Sequence, residues 1–139
     1  MKISVIHNKQ DKPEQSDYVE IHYSDLDKVD NAVATHIKIV DCIDYVDNPE
    51  ALISVITKKM RYGCELIVIG NDAFCIADKI LNGMTDINDM RSSLYNGRRS
   101  ISHYEHIRRI LEQYQLNIEL CNLDKTTNKY MIIARKPNV

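Results

Sequence analysis

The chain has 139 residues, with 18 Lys plus Arg against 20 Asp plus Glu and a formal net charge of −2. That length suits one domain with a real core, and the near-neutral balance argues against duplex DNA or an anionic membrane as partner. Hydrophobic residues at 44% and charged residues at 27% exclude a disordered chain, no apolar run approaches the ~18 residues of a membrane span, and MKISVIHNKQ turns polar too early for a secretory signal, so a cytoplasmic protein is expected.

KISVIH, Lys2 to His7, reads as a strand, and the polar stretch NKQDKPEQSD with Pro13 as a loop. Val19, Ile21 and Tyr23 alternate with Glu20 and His22, the period of a strand with one buried face. Ser24 to Ala34 is acidic and turn-prone, and Thr35 to Ile43 brings a third strand. Asn48-Pro49-Glu50 is a helix start: Asn caps the free amides, Pro fits the first turn, and Glu complements the dipole. That helix should run from Pro49 to about Arg61 on the stripe Leu52, Ile53, Val55, Ile56 and Met60, with Gly63 ending it. The unbroken run Leu66 to Ile69 predicts a strand covered on both faces.

Asp72 can cap a helix carrying Phe74, Ile76, Ala77, Ile80 and Leu81, stopped by Gly83. A further helix is expected over Asp86 to Tyr95, closed by Gly97. Ser102 and Glu105 form an S-x-x-E capping box before Ile107, Ile110, Leu111 and Tyr114. Ile118, Leu120 and, after a change of phase, Leu123 form a strand joined by DKTTNK to YMIIA, an antiparallel hairpin. The pattern specifies an α/β sheet, mostly parallel, with a reversed last strand. Strands 66–69 and 131–134 should be central neighbours, with 19–23 and 118–123 nearer the edges.

This order resembles the C-terminal part of the class I S-adenosylmethionine-dependent methyltransferase fold, in which the last strand inserts antiparallel between its two predecessors. IHYSDLDKVDNAVATHIKIVDCIDYVDNPEALISVITKKMRYGCELIVIGND is similar to the family's run from its third strand to the L-k-x-G-G-x-L-x-I strand. Here Arg61-Tyr62-Gly63-Cys64-Glu65-Leu66-Ile67-Val68-Ile69 fills that pattern, with Cys64 in place of the second glycine. The closing YMIIARKP resembles the family's final strand. The resemblance implies a single Rossmann-like domain over residues 1–139, with a mostly parallel sheet flanked by helices and a C-terminal β-hairpin.

The family grips its cofactor with a glycine-rich loop after the first strand and an acidic residue after the second. Gly63, Gly70, Gly83 and Gly97 all lie after residue 60, so no such loop exists in the N-terminal third, where His7-Asn8-Lys9 ends the first strand. The expectation is therefore an N-terminally truncated, degenerate methyltransferase-like protein, with no cofactor and a role in binding or assembly. A homo-oligomer or a place in a larger protein assembly should cover its unpaired edge and apolar face. The alternative is an active methyltransferase with an atypical or subunit-shared site for S-adenosylmethionine.

For that alternative the resemblance implies Asp25 at the cofactor, near the adenine, and Asp44, in the loop Asp41-Cys42-Ile43-Asp44-Tyr45, as the catalytic carboxylate. The plain reading of Asp25, beside Asp27 and Asp30, is a turn residue. His103 and His106 lack further ligands at a recognisable spacing, so surface or cap-associated histidines are expected and no metal. Arg108 and Arg109 read as a solvated helix face, and without a basic stripe interleaved with aromatics nucleic acid is an unfavoured partner. Tyr18, Tyr23, Tyr45, Tyr62 and Tyr95 fit a contact surface. Cys42, Cys64, Cys75 and Cys121 contain no C-x-x-C pair and lie in or beside apolar runs, which predicts reduced core thiols. Asp25-Leu26-Asp27 has the D-x-D spacing of a metal-dependent nucleotide-sugar transferase but sits in an acidic turn.

Overall fold

The computed structural model describes residues 1–8, 17–88, 90, 99, 100 and 102–138. Its elements are β1 (Lys2–Ile6), β2 (Val19–His22), a 3-10 helix (Tyr23–Lys28), β3 (Ala34–Val40), a 3-10 turn (Ile43–Tyr45), α1 (Pro49–Lys59), β4 (Met60–Asn71), α2 (Ala73–Leu81), α3 (Tyr104–Gln113), β5 (Asn117–Asp124) and β6 (Lys129–Arg135). The strands form one six-stranded sheet in the order β2-β1-β3-β4-β6-β5. β1 to β4 pair in parallel, and β6 runs antiparallel between β4 and β5. The reversed strand thus inserts between its two predecessors, as the sequence predicts, and the two alternating strands lie at the edges.

Local chemistry explains most element boundaries. Asn48 Oδ1 accepts the Ala51 amide at 3.2 Å to start α1, and Asp72 Oδ2 accepts the Cys75 amide at 3.0 Å to start α2. Gly83, at φ 68°, follows α2 as expected. The end of α1 differs from the expectation. The helix stops at Lys59, whose buried ammonium donates to Val29 O at 2.7 Å and Asn31 Oδ1 at 2.9 Å, and Met60 enters the sheet at once. Gly63 is therefore not a helix cap. Its φ of 78° serves a bulge, in which Arg61 to Cys64 on β4 face only Thr35 between the pairs Ala34–Met60 and His36–Glu65. A second irregularity between Ile118 and Leu120 of β5 produces the predicted change of phase. The helix expected over Asp86 to Tyr95 falls largely outside the described residues, as do Tyr95 and Gly97, and residues 87 and 88 form a turn.

The capping box is a second correction. Ser102 Oγ donates to Asp44 Oδ1 at 2.9 Å and is not the cap of α3. The N-cap residue is His103, and the Tyr104 amide is taken at 3.0 Å by Asp72 Oδ1. Arg108 also departs from a solvated face: it is half-buried and its Nε is enclosed without a partner, whereas Arg109 is exposed.

Among the described residues the two faces of the sheet differ, with α1 and α3 packed on one of them. Ile3 and Val5, Ile37 and Ile39, Leu66 and Val68, and Ile132 and Ala134 form one buried cluster with Leu52, Ile53 and Ile56 of α1 and Ile107, Ile110 and Leu111 of α3. The opposite face carries Ile6, Val40, Ile69 and Met131 in one row across the strands and Lys38, Ile67, Ile133 and Leu120 in the next. None of these side chains belongs to the buried cluster, and Val40 and Leu120 are 41% and 39% exposed. Tyr18, just before β2, lies on this face, its ring 4.5 Å from Lys38 Nζ.

All four cysteines are free, Cys42 and Cys64 being buried and Cys75 and Cys121 partly so. Burial, and then the Asp44 carboxylate, push the Cys42 thiol up to about 12, and burial pushes Cys64 up to about 11 against the pull of Lys136 and Arg135. Unfolded thiols ionise near 9, so the unfolded chain loses these protons first. The contribution of the neutral thiols is complete below pH 9 and declines as pH rises toward 12. Urea midpoints should fall from pH 8 to pH 10.5, and Cys42→Ala should flatten that dependence. An unaltered dependence in the variant would contradict the assignment.

Candidate functional site at the carboxyl ends of the strands

In an open α/β sheet, ligands sit outside the carboxyl ends of the strands where the chain reverses its direction of winding. Here β2 lies on one side of β1 and β3 on the other, so the switch point is between β1 and β3. The chain's own side chains meet there. The ring of His7, just after β1, stacks on Tyr45, beyond β3, with centroids 3.8 Å apart and planes 2° from parallel. His22 Nε2–H donates to His7 O at 2.8 Å, while His22 Nδ1 accepts from the Ser24 amide at 3.2 Å and faces Ser24 Oγ at 2.7 Å. This arrangement gives both ring nitrogens of His22 a partner and ties the ends of β1 and β2 together.

Asp41 closes β3 at φ 52°, with its amide on Ile69 O at 2.9 Å and Oδ2 receiving Lys129 Nζ at 2.8 Å. Beside this point, on the open face, a cavity of about 330 Å³ is lined by Ser4, Ile6, His7, Asn8, Lys38 and Asp41, among others.

The two carboxylates implied by resemblance lie apart. Asp25 sits in the 3-10 helix after β2, nearly half-exposed and paired with Lys28 at 3.1 Å, and it does not line the cavity. Asp44 is 3% exposed and receives Ser102 Oγ; its backbone carbonyl accepts the Arg99 and Ser100 amides at 2.8 and 3.0 Å. Ser102 Oγ also faces Tyr130 Oη at 3.4 Å, and burial pushes the Tyr130 phenol well above its usual range.

A centre that sequence reasoning missed lies at the end of β4. Asp72, 1% exposed, faces His103 Nδ1 at 2.7 Å while accepting the first-turn amides of α2 and α3. Spacing along the chain hides this pair, because 31 residues separate its members; the only local signal was Asp72 as a cap. Among the described residues no group of three or more His, Cys, Asp or Glu is arranged to hold a metal ion.

No family model matches the chain, and no curated protein matches it. Solved structures do. A SAM-dependent methyltransferase from Thermotoga maritima superposes with a TM-score of 0.59 at 14% identity, covering 86% of this chain and 63% of its own. One from Archaeoglobus fulgidus gives 0.59 at 13%, covering 88% and 70%. A chain in the complex between the Haloferax volcanii Trm112 methyltransferase activator and a methyltransferase gives 0.62 at 9%, covering 91% and 64%.

The fold is methyltransferase-like. This methyltransferase-like chain spans about two thirds of the length of those neighbours. At the end of β1 the described residues His7 and Asn8 do not supply the glycine-rich turn that the resemblance implies for S-adenosylmethionine. A glycine-rich turn leaves bare backbone for a ligand to approach, whereas the end of β1 carries the stacked His7 ring and a carbonyl already bonded to His22.

Proposed function

We propose that this chain is a degenerate methyltransferase-like protein, non-catalytic in methyl transfer, that serves as a binding or assembly component of the cytoplasm. The observation that carries the reading is the open sheet face. Ile6, Val40, Ile67, Ile69, Met131, Ile133 and Leu120 form a contiguous apolar surface outside the core, against which no described helix packs. Doubly wound sheets are covered on both faces, and large apolar patches mark interaction sites. A second copy of the chain or a partner protein fills that role. The structure of a similar chain with the Trm112 activator supports the idea that this kind of fold works with a partner. The free cysteines are in keeping with a reducing compartment.

Light scattering on the purified protein tests the reading, with Ile67→Lys together with Ile133→Lys as the variant. The wild type should travel as an oligomer or with a co-purifying partner, and the charged pair should release a folded monomer with a native circular dichroism spectrum. A wild type that stays monomeric on concentration and captures nothing would count against it.

A second reading, a methyltransferase completed by a partner subunit, is favoured by the cavity beside His7 and Asp41 and by the SAM-dependent neighbours. Calorimetry and thermal unfolding with S-adenosylmethionine and S-adenosylhomocysteine separate the two. A ligand at a hundred times its Kd stabilises by about 2.7 kcal/mol. We expect no shift and no heat; a shift of several degrees would select the second reading.

A further inference from the structure

The Asp72–His103 pair combines three features that a cap alone does not require. Asp72 already satisfies both helix starts through the Cys75 and Tyr104 amides, so the imidazole is additional to the capping. The ring is held on both sides, stacked on Phe74 at 4.2 Å and against the edge of Tyr104 at 4.7 Å. With Nδ1–H directed at a buried carboxylate, the neutral ring presents Nε2 as its basic atom, and no described group bonds to it. His103 lines a cavity of about 450 Å³ with Phe74, Glu105, His106 and Arg109, and a second of about 650 Å³ with Cys75, Met84 and Leu123. Phe74 is 66% exposed and forms the wall common to both.

We propose that Asp72 and His103 form a reactive dyad at the end of β4, with Nε2 of His103 as nucleophile and Phe74 as the platform for a small planar ester. In the reaction Nε2 attacks the ester carbonyl, the acyl carbon–oxygen bond breaks, and the leaving alkoxide or phenoxide departs with the electron pair. Water then adds to the acyl-imidazolium; one of its protons passes to the departed alkoxide or phenoxide or to solvent, the carboxylic acid is released and ionises to solvent, and the neutral ring is restored. Asp72 holds the Nδ1 proton in place and stabilises the positive charge that grows on the ring during attack, the orienting role a carboxylate plays behind a working histidine. This site is independent of the open sheet face.

The probe is p-nitrophenyl acetate, followed by p-nitrophenolate release at pH 7.5. The protein should exceed N-acetylhistidine at equal concentration by at least about tenfold, a threshold below the roughly 10²–10⁴-fold that a positioned side chain typically supplies. His103→Gln, which leaves both caps intact, should fall to the background, and Phe74→Leu should raise KM more than it lowers kcat. His36→Gln and Cys121→Ser, which line neither cavity, should keep the wild-type rate. A wild-type rate equal to that of N-acetylhistidine, full activity in His103→Gln, or loss that follows His36 or Cys121 instead would each overturn the assignment.

Discussion

Gly70→Ala is expected to destabilise the fold by roughly 3 kcal/mol, at the upper end of what overpacking costs in a well-filled core. A methyl group on Gly70 would stand 2.7 Å from Tyr130 Oη, 3.0 Å from Cζ and 3.2 Å from Cε1. Gly70 pairs with Tyr130 across the central β4–β6 ladder, and the tyrosine has no exposed surface into which it could retreat. Its hydroxyl also lies against Ser102, which holds Asp44, so a displaced ring would disturb the buried polar group that bonds to Arg99, Ser100 and Ser102. Urea denaturation checks the size of the effect. Because the closest clash is with the phenolic oxygen, Tyr130→Phe should recover part of the loss in the double variant. Coupling of this kind is expected only between residues in contact. Strictly additive effects would mean that the ring does not lie over Gly70 as described.

The parts of the fold that were legible in the sequence are those decided within a few residues. Asn48 ahead of Pro49 and Asp72 ahead of α2 announce helix starts because a cap bonds amides two or three positions away. The hairpin and the central pairing of strands 66–69 and 131–134 follow from a short polar turn and continuous apolar runs. What failed depended on distant partners. Ser102 has the local signature of a capping box, but Asp44, 58 positions earlier, takes its hydroxyl, and Asp72 supplies the cap instead. Gly63 looks like a helix stop because the bulge that needs its positive φ is defined only by the register with β3.

The candidate site shows the same limit. The missing glycine loop was visible at once, since glycine is identified by type alone. The meeting of His7 with Tyr45, and of His103 with Asp72, requires the sheet to be assembled first. Burial was also illegible for the open face. Ile67 and Ile69 interleave with Leu66 and Val68 in a run that looks covered on both sides, and only the placement of α1 and α3 on one side separates core from surface. An apolar run kept on an open face is itself informative, because a face that meets only water gains nothing from isoleucine.

Asp72→Ala should have an effect comparable to that of Gly70→Ala, by a different mechanism. One carboxylate serves two helices: Oδ2 accepts the Cys75 amide of α2, and Oδ1 accepts the Tyr104 amide of α3 and faces His103 Nδ1. A single cap is typically worth about 1 kcal/mol, and a buried hydrogen bond to a charged group adds about 1.5 kcal/mol or more. Their joint loss amounts to roughly 3 kcal/mol, or on the order of 10 °C in Tm for a chain of this size. Asp72→Asn keeps one carbonyl oxygen and should lose about half of that. His103→Gln leaves both caps in place and should cost under about 1 kcal/mol. Thermal unfolding of the three variants therefore gives a graded series. If His103→Gln were as damaging as Asp72→Ala, the stabilising element would be the imidazole rather than the shared cap. If Asp72→Ala were neutral, the two helix starts would have to be satisfied by water, which the 1% exposure of Asp72 argues against.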